Sequence, residues 1–407
     1  MNKLKILQLC NKPPLPSKDG GGLAMDNITQ GLLALGHEVQ IITISTDKHP
    51  FEADKLTDEY KRRTKIQEVF IDTKVNVVDA FSSLITSDSY NVTRFFSSDF
   101  DCILKNVLET TTFDIIHLES LFMTPYIDTC KRFSNAKLVL RSHNLEYIIW
   151  ERLASGENKI HKRTYLKYLS RKLKEYEVSM LNAIDGIACI SSEDLKKYQT
   201  LGCKIPLINV PFGVDYQSLA KKIEPKQNKN ISIFHLGSMD WQPNLEAVRW
   251  FIDECWEKIH QQNPGIKLYL AGRNMPDNIN PKKKSGIIVI GEVEDAYQFM
   301  NKHDIMVVPL LSAGGIRVKI IEGMAMRKAI ISTSVGAEGI NYTNQEDIII
   351  ADIPEEFSSS INEFVNNPER IVKLGEQAQK MVRKNHDNIN LVGNLIEFYN
   401  YLIETKS

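Results

Sequence analysis

The sequence lacks several features that mark common classes of protein. Its formal net charge is only −1 over 407 residues, which argues against nucleic-acid binding driven by bulk charge. Its six cysteines are scattered without a CxxC motif or a Cys/His cluster, so they predict reduced thiols in a cytosolic protein rather than disulfides or a zinc site. No apolar run is long enough to span a bilayer, and the N-terminal MNKLKILQLC fits a strand better than a signal peptide. We therefore predict a cytoplasmic protein for which any membrane contact is peripheral, at the inner face.

Short apolar runs alternate with helical segments along the whole chain. The runs include LKILQL, VQIITI, DIIHL and KLVLRS, then ISIFHL, KLYLAG, GIIVIG and IMVVPL after a polar interruption, KKIEPKQNKN. This alternation is typical of parallel sheets that are covered on both faces. We predict an α/β protein with two Rossmann-like, doubly wound domains that face a central cleft, where ligands bind at the carboxyl ends of the strands.

The segment VVPLLSAGGIRVKIIEGMA carries the clearest site prediction. An apolar run ends at Val308, a loop of small residues contains Gly314 and Gly315, and a helical pattern follows from Ile316. A strand, a glycine loop and a helix in this order point backbone N–H groups and the positive end of the helix at one spot. Because neither glycine carries a Cβ, an anion can approach the backbone closely. The pattern predicts a diphosphate site.

The charged residues of this helix have two interpretations. Lys319 and Glu322 are three residues apart and share a face, whereas Arg317 can reach a ligand only from the first turn. In one interpretation the two cations bind phosphate oxygens and Glu322 accepts hydrogen bonds from sugar hydroxyls. In the other, Lys319 and Glu322 form a local ion pair on a solvated face. The apolar residues around most of the helix argue for burial and against the second interpretation.

Three further loops follow predicted strands. The triple glycine ending at Gly22 is predicted as a loop before a helix from about Leu23. In HLGSMDWQPN, Gly237 is expected beneath a ligand, with Trp241 in packing and Pro243 in the first turn of the next helix. The turn from 291 to 295 could pair with a base edge, or Asp295 could cap a helix.

Taken together, these motifs resemble glycosyltransferase family four. The blocks GHEVQIIT, FDIIHLE, RSHNLEY, DGIACIS, GSMDWQPN and PLLSAGGIRVKIIEGMA stand in family order over nearly the whole chain. The last two blocks resemble a branch that acts on bacterial surface polysaccharides. The resemblance implies the GT-B fold and a retaining, metal-independent hexosyltransferase without a cofactor. Its implied partners are a nucleotide diphosphosugar donor and a glycan or lipid-linked saccharide acceptor, with no nucleic acid.

The resemblance also implies roles for individual residues. Arg317 and Lys319 would act in catalysis by holding the diphosphate, Glu322 would bind the ribose, and His143 would contact the transferred sugar. It also implies donor contacts for Gly21, Gly22, Gly291 and Val293, in addition to Gly237, Gly314 and Gly315 in the loops described above. Its implied domains are an acceptor-side domain at 1–208, a linker at 209–229, a nucleotide-sugar domain at 230–385 and a helix at 386–407 that returns to the first domain.

Two positions depart from the pattern of the family. Many members carry a sugar-reading Glu where this chain has Gly314, and many carry a basic pair where GSMDWQPN has neither Arg nor Lys. The cations must then come from the helix, as Arg317 and Lys319. Because Gly314 replaces this glutamate, the sequence does not identify the residue that recognises the sugar hydroxyls.

The acceptor side is less defined. His117 and Glu119 follow DIIHL at a strand end and are candidate acceptor contacts, as are Tyr90 and Arg94 in a stretch without clear periodicity. The basic stretch 159–174 either touches anionic lipid or forms a solvated helix face.

Two other functions remain open. One is a different GT-B enzyme, such as a sugar epimerase or a phosphorylase, although no lysine is recognisable as a pyridoxal phosphate anchor. The other is a non-catalytic subunit that binds sugar nucleotides, which the glycine at position 314 motivates.

Overall fold

The computed structural model forms two compact units. One unit contains residues 1–213 together with 388–407, and the other contains residues 214–387. The described residues are 3–17, 20–72, 92, 94–225, 230–276, 279, 285–312 and 315–405. The chain passes between the units at Gly213 and Val214, inside the segment predicted as the linker.

The first unit is built on a seven-stranded parallel sheet. Its strands are β1 (Lys5–Cys10), β2 (Glu38–Ser45), β3 (Gln67–Phe70), β4 (Ile115–Glu119), β5 (Lys137–Ser142), β6 (Gly186–Cys189) and β7 (Leu207–Asn209). They are arranged in the order β3-β2-β1-β4-β5-β6-β7, and every neighbouring pair is parallel. The sheet is doubly wound, as predicted, because strand order reverses between β1 and β4.

The second unit contains a six-stranded parallel sheet of the same design. Its strands are β8 (Ser232–Leu236), β9 (Lys267–Ala271), β10 (Ile287–Gly291), β11 (Ile305–Val308), β12 (Ala329–Ser332) and β13 (Ile349–Ile350). They follow the order β10-β9-β8-β11-β12-β13. Here the order reverses between β8 and β11.

Helices cover the faces of both sheets. In chain order they are α1 (Gly20–Ala34), α2 (Asp58–Thr64), α3 (Ser98–Thr110), α4 (Ile127–Phe133), α5 (Glu146–Gly156), α6 (Ile160–Met180), α7 (Ser192–Thr200), α8 (Tyr216–Lys221), α9 (Gln242–Trp250), α10 (Glu257–Gln262), α11 (Ala296–Asn301), α12 (Val318–Ala325), α13 (Pro354–Asn366), α14 (Pro368–Asn385) and α15 (Asn388–Glu404). A π-helical turn at Phe251–Trp256 joins α9 to α10. None of the helices in the described parts of the chain is both long enough and apolar enough to cross a membrane.

The C-terminal helix α15 completes the core of the first unit. Its apolar face packs with α1 and the strands in one cluster that includes Val392, Leu395 and Tyr399. Two glycines allow this close packing. A Cβ on Gly31 of α1 would lie 2.5 Å from Val392 Cγ2, and one on Gly186 of β6 would lie 2.7 Å from Phe398 Cζ.

Two local predictions agree with the structure, and one differs. Pro243 lies in the first turn of α9, and Asp295 caps α11 by accepting hydrogen bonds from Tyr297 N at 2.8 Å and Gln298 N at 3.1 Å. The loop predicted around Gly22 was wrong, because α1 already begins at Gly20. First-turn residues need no intrahelical acceptor for their N–H groups, so three glycines are tolerated there.

Candidate active site

In both units the strand order reverses beside a cluster of polar side chains. Ligands of doubly wound sheets bind at the carboxyl ends of the strands at this reversal. In the second unit the loops there follow β8 and β11, and they lead into α9 and α12. The cluster at this point is built around Lys319, in the first turn of α12.

Lys319 is positioned by the first turn of α9 and the loop before it. Its Nζ donates a hydrogen bond to Asn244 Oδ1 at 2.8 Å, and Asn244 Nδ2 in turn donates to Ser238 O at 2.8 Å. Burial, and to a smaller extent the charge of Arg317, lowers the pKa of Lys319 to about 7. Among the described residues no carboxylate is paired with this ammonium group. The predicted alternative of a local ion pair with Glu322 is therefore wrong.

Gly237 lies directly beneath the lysine. A Cβ on this residue would lie 2.7 Å from Asn244 Nδ2 and 3.1 Å from Lys319 Nζ. Gly237 is itself approached by Gly272, whose φ of +148° favours glycine and whose Cβ would lie 1.8 Å from Gly237 O. The close contact of the backbone with the ammonium group therefore requires glycine at position 237.

Arg317 is the N-cap residue of α12 and is 5 % exposed. Its guanidinium carbon lies 5.7 Å from the centroid of the Trp241 ring, within cation–π range. Burial lowers the pKa of Arg317, although Glu338 acts in the opposite direction. Trp241, which was predicted to serve in packing, thus packs against a cation of the candidate site.

Glu322 lies one turn further along α12. Its Oε1 accepts a hydrogen bond from Tyr297 OH at 2.8 Å, and Lys222 Nζ lies 4.2 Å from the centroid of the Tyr297 ring. Burial raises the pKa of Glu322, whereas the hydrogen bond from Tyr297 and the charge of Lys222 lower it. The carboxyl group is oriented by a fixed donor and retains capacity to accept further hydrogen bonds.

His235, at the end of β8, completes this cluster. Its Nδ1 donates to Val307 O at 3.0 Å, and its Nε2 is buried without a hydrogen-bond partner in the described part of the chain. Burial, together with the charge of Lys319, lowers the pKa of His235 to about 3. The ring is neutral at physiological pH and leaves Lys319 and Arg317 as the cations at this point.

The remaining donor-site predictions fall on loops of this unit. Gly315 precedes α12 with φ +80° and is exposed, whereas Gly314 lies outside the described residues. Gly291 ends β10 with φ +77° and accepts a hydrogen bond from Gly272 N at 2.8 Å. Val293, in the following turn, is half-buried.

In the first unit, a buried carboxylate lies at the corresponding reversal of strand order. Glu119, the last residue of β4, accepts hydrogen bonds from Gln8 Nε2 and from His143 Nε2, each at 2.8 Å. His117 Nε2 is 3.2 Å from Glu119 Oε1 but is not aligned for a hydrogen bond, and Arg141 Nε is 3.9 Å from Oε2. Burial alone would raise the pKa of Glu119, but His117 and His143 bring it well below its ordinary range. Glu119 is thus an ionised group at neutral pH.

The structure places the other first-unit predictions as follows. Gly21 and Gly22 lie in the first turn of α1. His117 and Glu119 are fully buried, and His117 Nδ1 is bonded to the hydroxyl of Tyr399 on α15. The guanidinium carbon of Arg94 lies 5.2 Å from the centroid of the Phe95 ring, whereas Tyr90 lies outside the described residues. In the described ranges, no group of three or more His, Cys, Asp or Glu side chains is arranged to hold a metal ion.

Comparison with known protein families identifies both units. Residues 18–218 match the family model described as Glycosyltransferase Family 4, and residues 230–367 match the one described as Glycosyl transferases group 1. The chain belongs to the family 4 glycosyltransferases.

A curated relative of this glycosyltransferase comes from Klebsiella pneumoniae. It is named "Uncharacterized 44.6 kDa protein in cps region" and is 22 % identical over 398 residues, which cover 94 % of this chain and 97 % of the relative.

Solved structures share the whole fold of the glycosyltransferase. Sucrose-phosphate synthase from Thermosynechococcus elongatus matches with a TM-score of 0.67 and 14 % identity, over 98 % of this chain and 99 % of that chain. A glycosyltransferase from Rickettsia africae matches with a TM-score of 0.65 and 17 % identity, over the full length of both chains. Anabaena HepE in complex with UDP and glucose matches with a TM-score of 0.60 and 11 % identity, over 98 % of this chain and 99 % of that chain. The two parallel-sheet units therefore form a GT-B fold.

Several residues of the glycosyltransferase site were not predicted as site residues. Asn244, His235 and Tyr297 contact or orient the predicted residues of the second unit, and Gln8 and Arg141 do so in the first. Asn244 carries a signal in the sequence, since it follows Pro243 directly after a glycine loop. Gln8 and Arg141 have no such signal in the sequence, because they lie within runs that are typical of buried apolar strands.

Proposed function

We propose that this glycosyltransferase moves a hexose-type sugar from a nucleotide diphosphosugar to a glycan or lipid-linked acceptor, with retention at the anomeric carbon. The observation that carries the proposal is the placement of Lys319. Its ammonium group, held by Asn244 over Gly237, lies in the first turn of a helix whose N-cap is Arg317. Lys319 has a pKa of about 7 and no counter-ion among the described residues, and a diphosphate supplies one.

The donor is bound by the second unit in this proposal. Arg317, Lys319 and the first N–H groups of α12 bind the diphosphate, and the exposed Gly315 lets the phosphate approach the backbone. Glu322, oriented by Tyr297, accepts hydrogen bonds from the ribose hydroxyls. The turn at Gly291 and Val293 lies against the base. Because one structural neighbour, HepE, was crystallised in complex with UDP, UDP is the first nucleotide to test.

Charge placement supports the proposed chemistry. Cleavage of the bond between the anomeric carbon and the phosphate builds negative charge on the leaving diphosphate, which preorganised cations stabilise. Arg317 and Lys319 supply two positive charges, which is the task that a divalent metal performs in metal-dependent transferases. In the first unit, the proposed role of His143 is a contact to a sugar at the carboxyl end of β5.

Retention has its own test. The nuclear magnetic resonance (NMR) spectrum of the glycosylated acceptor reports the anomeric configuration of the new glycosidic bond. Retention predicts that the new bond has the same anomeric configuration as the donor. An inverted product would contradict this part of the proposal.

The acceptor belongs to surface polysaccharide synthesis in this proposal. It is supported by the relative whose name places it in a cps region. Because His117 and Glu119 are fully buried, they do not contact the acceptor in this proposal. Arg94 remains a candidate acceptor contact.

We also propose that the tip of the α5–α6 hairpin contacts an anionic membrane surface. Leu153 is 54 % exposed and Ile160 is 74 % exposed, which is unusual for apolar side chains of this size. Lys162, Arg163 and Lys167 are exposed on the same first turns of α6. Exposed apolar residues beside cations are the combination that binds the interface of an anionic bilayer.

Vesicle sedimentation tests the membrane contact. We expect the protein to co-sediment with phosphatidylglycerol vesicles, and to lose binding when Lys162, Arg163 and Lys167 are replaced by Glu. The control variant carries the same charge change at Lys373, Lys380 and Lys384, which lie exposed on α14. Equal loss of binding in both variants would show only a bulk charge effect.

Release of nucleotide diphosphate tests the main function. Incubation with a panel of nucleotide sugars and polysaccharide-precursor acceptors should release one nucleotide diphosphate, and Lys319→Ala should abolish most of the release. Lys258→Ala is the control, since Lys258 is paired with Glu355 at 3.7 Å elsewhere in the unit. Loss of donor without dependence on any acceptor would favour an epimerase-type enzyme. Binding without turnover would favour a non-catalytic subunit.

A further inference from the structure

The buried Glu119 controls which nitrogen of His143 carries the proton. His143 Nε2 lies 2.8 Å from Glu119 Oε2. A carboxylate has no hydrogen to give, so the proton in this contact belongs to Nε2. Burial lowers the pKa of His143, against the opposing effect of Glu119, so the ring is neutral and Nδ1 carries a lone pair.

The other contacts of Glu119 hold it in this orientation. Gln8 Nε2 donates to its second oxygen, Oε1, at 2.8 Å, and Thr29 Oγ1 donates to Gln8 Oε1 at 2.6 Å. The amide of Gln8 therefore cannot turn its oxygen toward the carboxylate without losing both contacts. Arg141 Nε, 3.9 Å from Oε2, supplies a compensating charge, and all four side chains are almost completely buried. The network spans β1, β4, β5 and α1 and presents one ring at its edge.

That ring is more exposed than the network behind it. The His143 side chain is 12 % exposed, whereas the Glu119 side chain is 0 % exposed. His143 directly follows β5, at the end of the sheet where ligands bind. The network therefore ends in a single histidine whose Nε2 is already hydrogen-bonded to Glu119.

We infer that Glu119 is a positioning residue that fixes His143 as a hydrogen-bond acceptor, through Nδ1, for a hydroxyl of a sugar bound at the carboxyl end of β5 in the first unit. The role toward the sugar rests on the proposed function, whereas the tautomer does not. A histidine locked in this form selects a ligand that presents an O–H group, because Nδ1 cannot donate in return. His143 would thereby recognise a sugar hydroxyl in a chain that has glycine, and not the glutamate of many family members, at position 314.

Two substitutions of His143 separate the two nitrogens. The amide introduced by His143→Asn reaches the position of Nδ1, and the longer side chain introduced by His143→Gln reaches the position of Nε2. His143→Gln keeps the contact with Glu119 and should be the more stable variant. His143→Asn keeps an acceptor for the sugar and should retain about tenfold more kcat/KM than His143→Gln, the effect of one hydrogen bond. A purely structural role predicts that His143→Gln is better in both stability and activity.

Nitrogen-15 NMR of histidine-labelled, nucleotide-free protein measures the tautomer directly. We expect the Nε2–H form, identified by the signal that disappears in the His143 variants, and a shift toward the other form in Glu119→Gln. Tyr126→Phe is the control, since it removes a buried hydroxyl that bonds Ser97 N and Phe95 O without contacting the network.

The possible outcomes separate this inference from the proposed function. An Nδ1–H tautomer in the wild-type protein, or higher activity in His143→Gln than in His143→Asn, would overturn the inference. If the wild-type protein turns over no nucleotide sugar, the proposed function fails and the role of Nδ1 toward the sugar fails with it. The NMR result then still decides whether Glu119 sets the tautomer.

Discussion

At the scale of single residues, the site of the second unit is organised by the desolvation of the Lys319 ammonium group. Lys319 donates to a neutral amide and has no carboxylate partner among the described residues. Its pKa of about 7 means that roughly half of the molecules carry a neutral lysine near neutral pH. An arriving diphosphate stabilises the charged form, so binding and protonation are coupled.

This coupling predicts proton uptake on nucleotide binding. Below pH 7 Lys319 is already charged, whereas above pH 7 each binding event must bring a proton, so affinity should fall by up to about tenfold per pH unit. The neighbouring Arg317 stays charged, and His235, with its pKa of about 3, stays neutral over this range. Calorimetry at pH 8 in buffers with different ionisation heats should show uptake of nearly one proton. The same binding heat in every buffer would contradict the prediction.

The same lysine should cost stability when the site is unfilled. Its pKa is lowered from an ordinary value of 10.5, so the folded protein binds fewer protons than the unfolded chain between these values. Lys319→Met should increase the free energy of unfolding of the nucleotide-free protein at pH 7 by roughly 0.5–2 kcal/mol, which is measured as a higher Tm. The gain should shrink as the pH rises toward 10.5. Lys258→Met, at a half-exposed position, should change stability by less than about 0.5 kcal/mol, and equal shifts for both variants would contradict this reasoning.

At the scale of elements, the loop after β8, the first turn of α9 and the first turn of α12 act as one structure. Their contact depends on the absence of a side chain at Gly237 and on the amide of Asn244. The sequence motif GSMDWQPN, which lacks the expected cations, therefore contributes by positioning a cation from another element.

Gly237→Ala should disrupt this contact. The new Cβ would lie 2.7 Å from Asn244 Nδ2, so the amide that holds Lys319 must move. We expect a loss of about 1–3 kcal/mol in stability from overpacking, and weaker nucleotide binding measured by calorimetry. Gly265→Ala is the matched control, because a Cβ there meets nothing within 4 Å. Unchanged nucleotide affinity in Gly237→Ala would disprove the positioning role.

The elements themselves were largely predictable from sequence, because buried parallel strands are short apolar runs between helices. The prediction failed where the signal was weak. Strands β3 and β13 were missed, since β3 lies in a stretch without clear periodicity and β13 has only two residues. The residues Arg317, Lys319 and Glu322 could be found because helical spacing relates them. The partners of Glu119 could not, because Gln8 and His143 are far apart in sequence and meet only in the folded sheet.

At the scale of the whole molecule, the first unit is formed by two separate segments, residues 1–213 and 388–407. Helix α15 supplies part of the first unit's core, and its packing on Gly31 and Gly186 leaves no space for larger residues. The core of the first unit therefore requires α15.

Substitutions on α15 should show this dependence. Phe398 is 9 % exposed and packs on Gly186, so Phe398→Ala should destabilise the first unit by about 3–5 kcal/mol. Tyr401, on the same helix, is 54 % exposed, and Tyr401→Ala should have an effect below about 0.5 kcal/mol. Hydrogen exchange resolves the result by unit, and protection should fall in residues 3–213 of the Phe398 variant. Equal loss of protection in residues 214–387 would contradict the assignment of α15 to the first unit.

The most direct measurement is the thermal stability of the protein with UDP, GDP, dTDP and ADP, for the wild type, Lys319→Ala and Lys258→Ala. At about 100 times its dissociation constant, one nucleotide should stabilise the wild type by roughly 2.7 kcal/mol. Lys258→Ala should respond like the wild type, and Lys319→Ala should lose most of the shift. If no nucleotide raises the Tm, or if Lys319→Ala responds like the wild type, Lys319 does not hold the diphosphate of a nucleotide sugar.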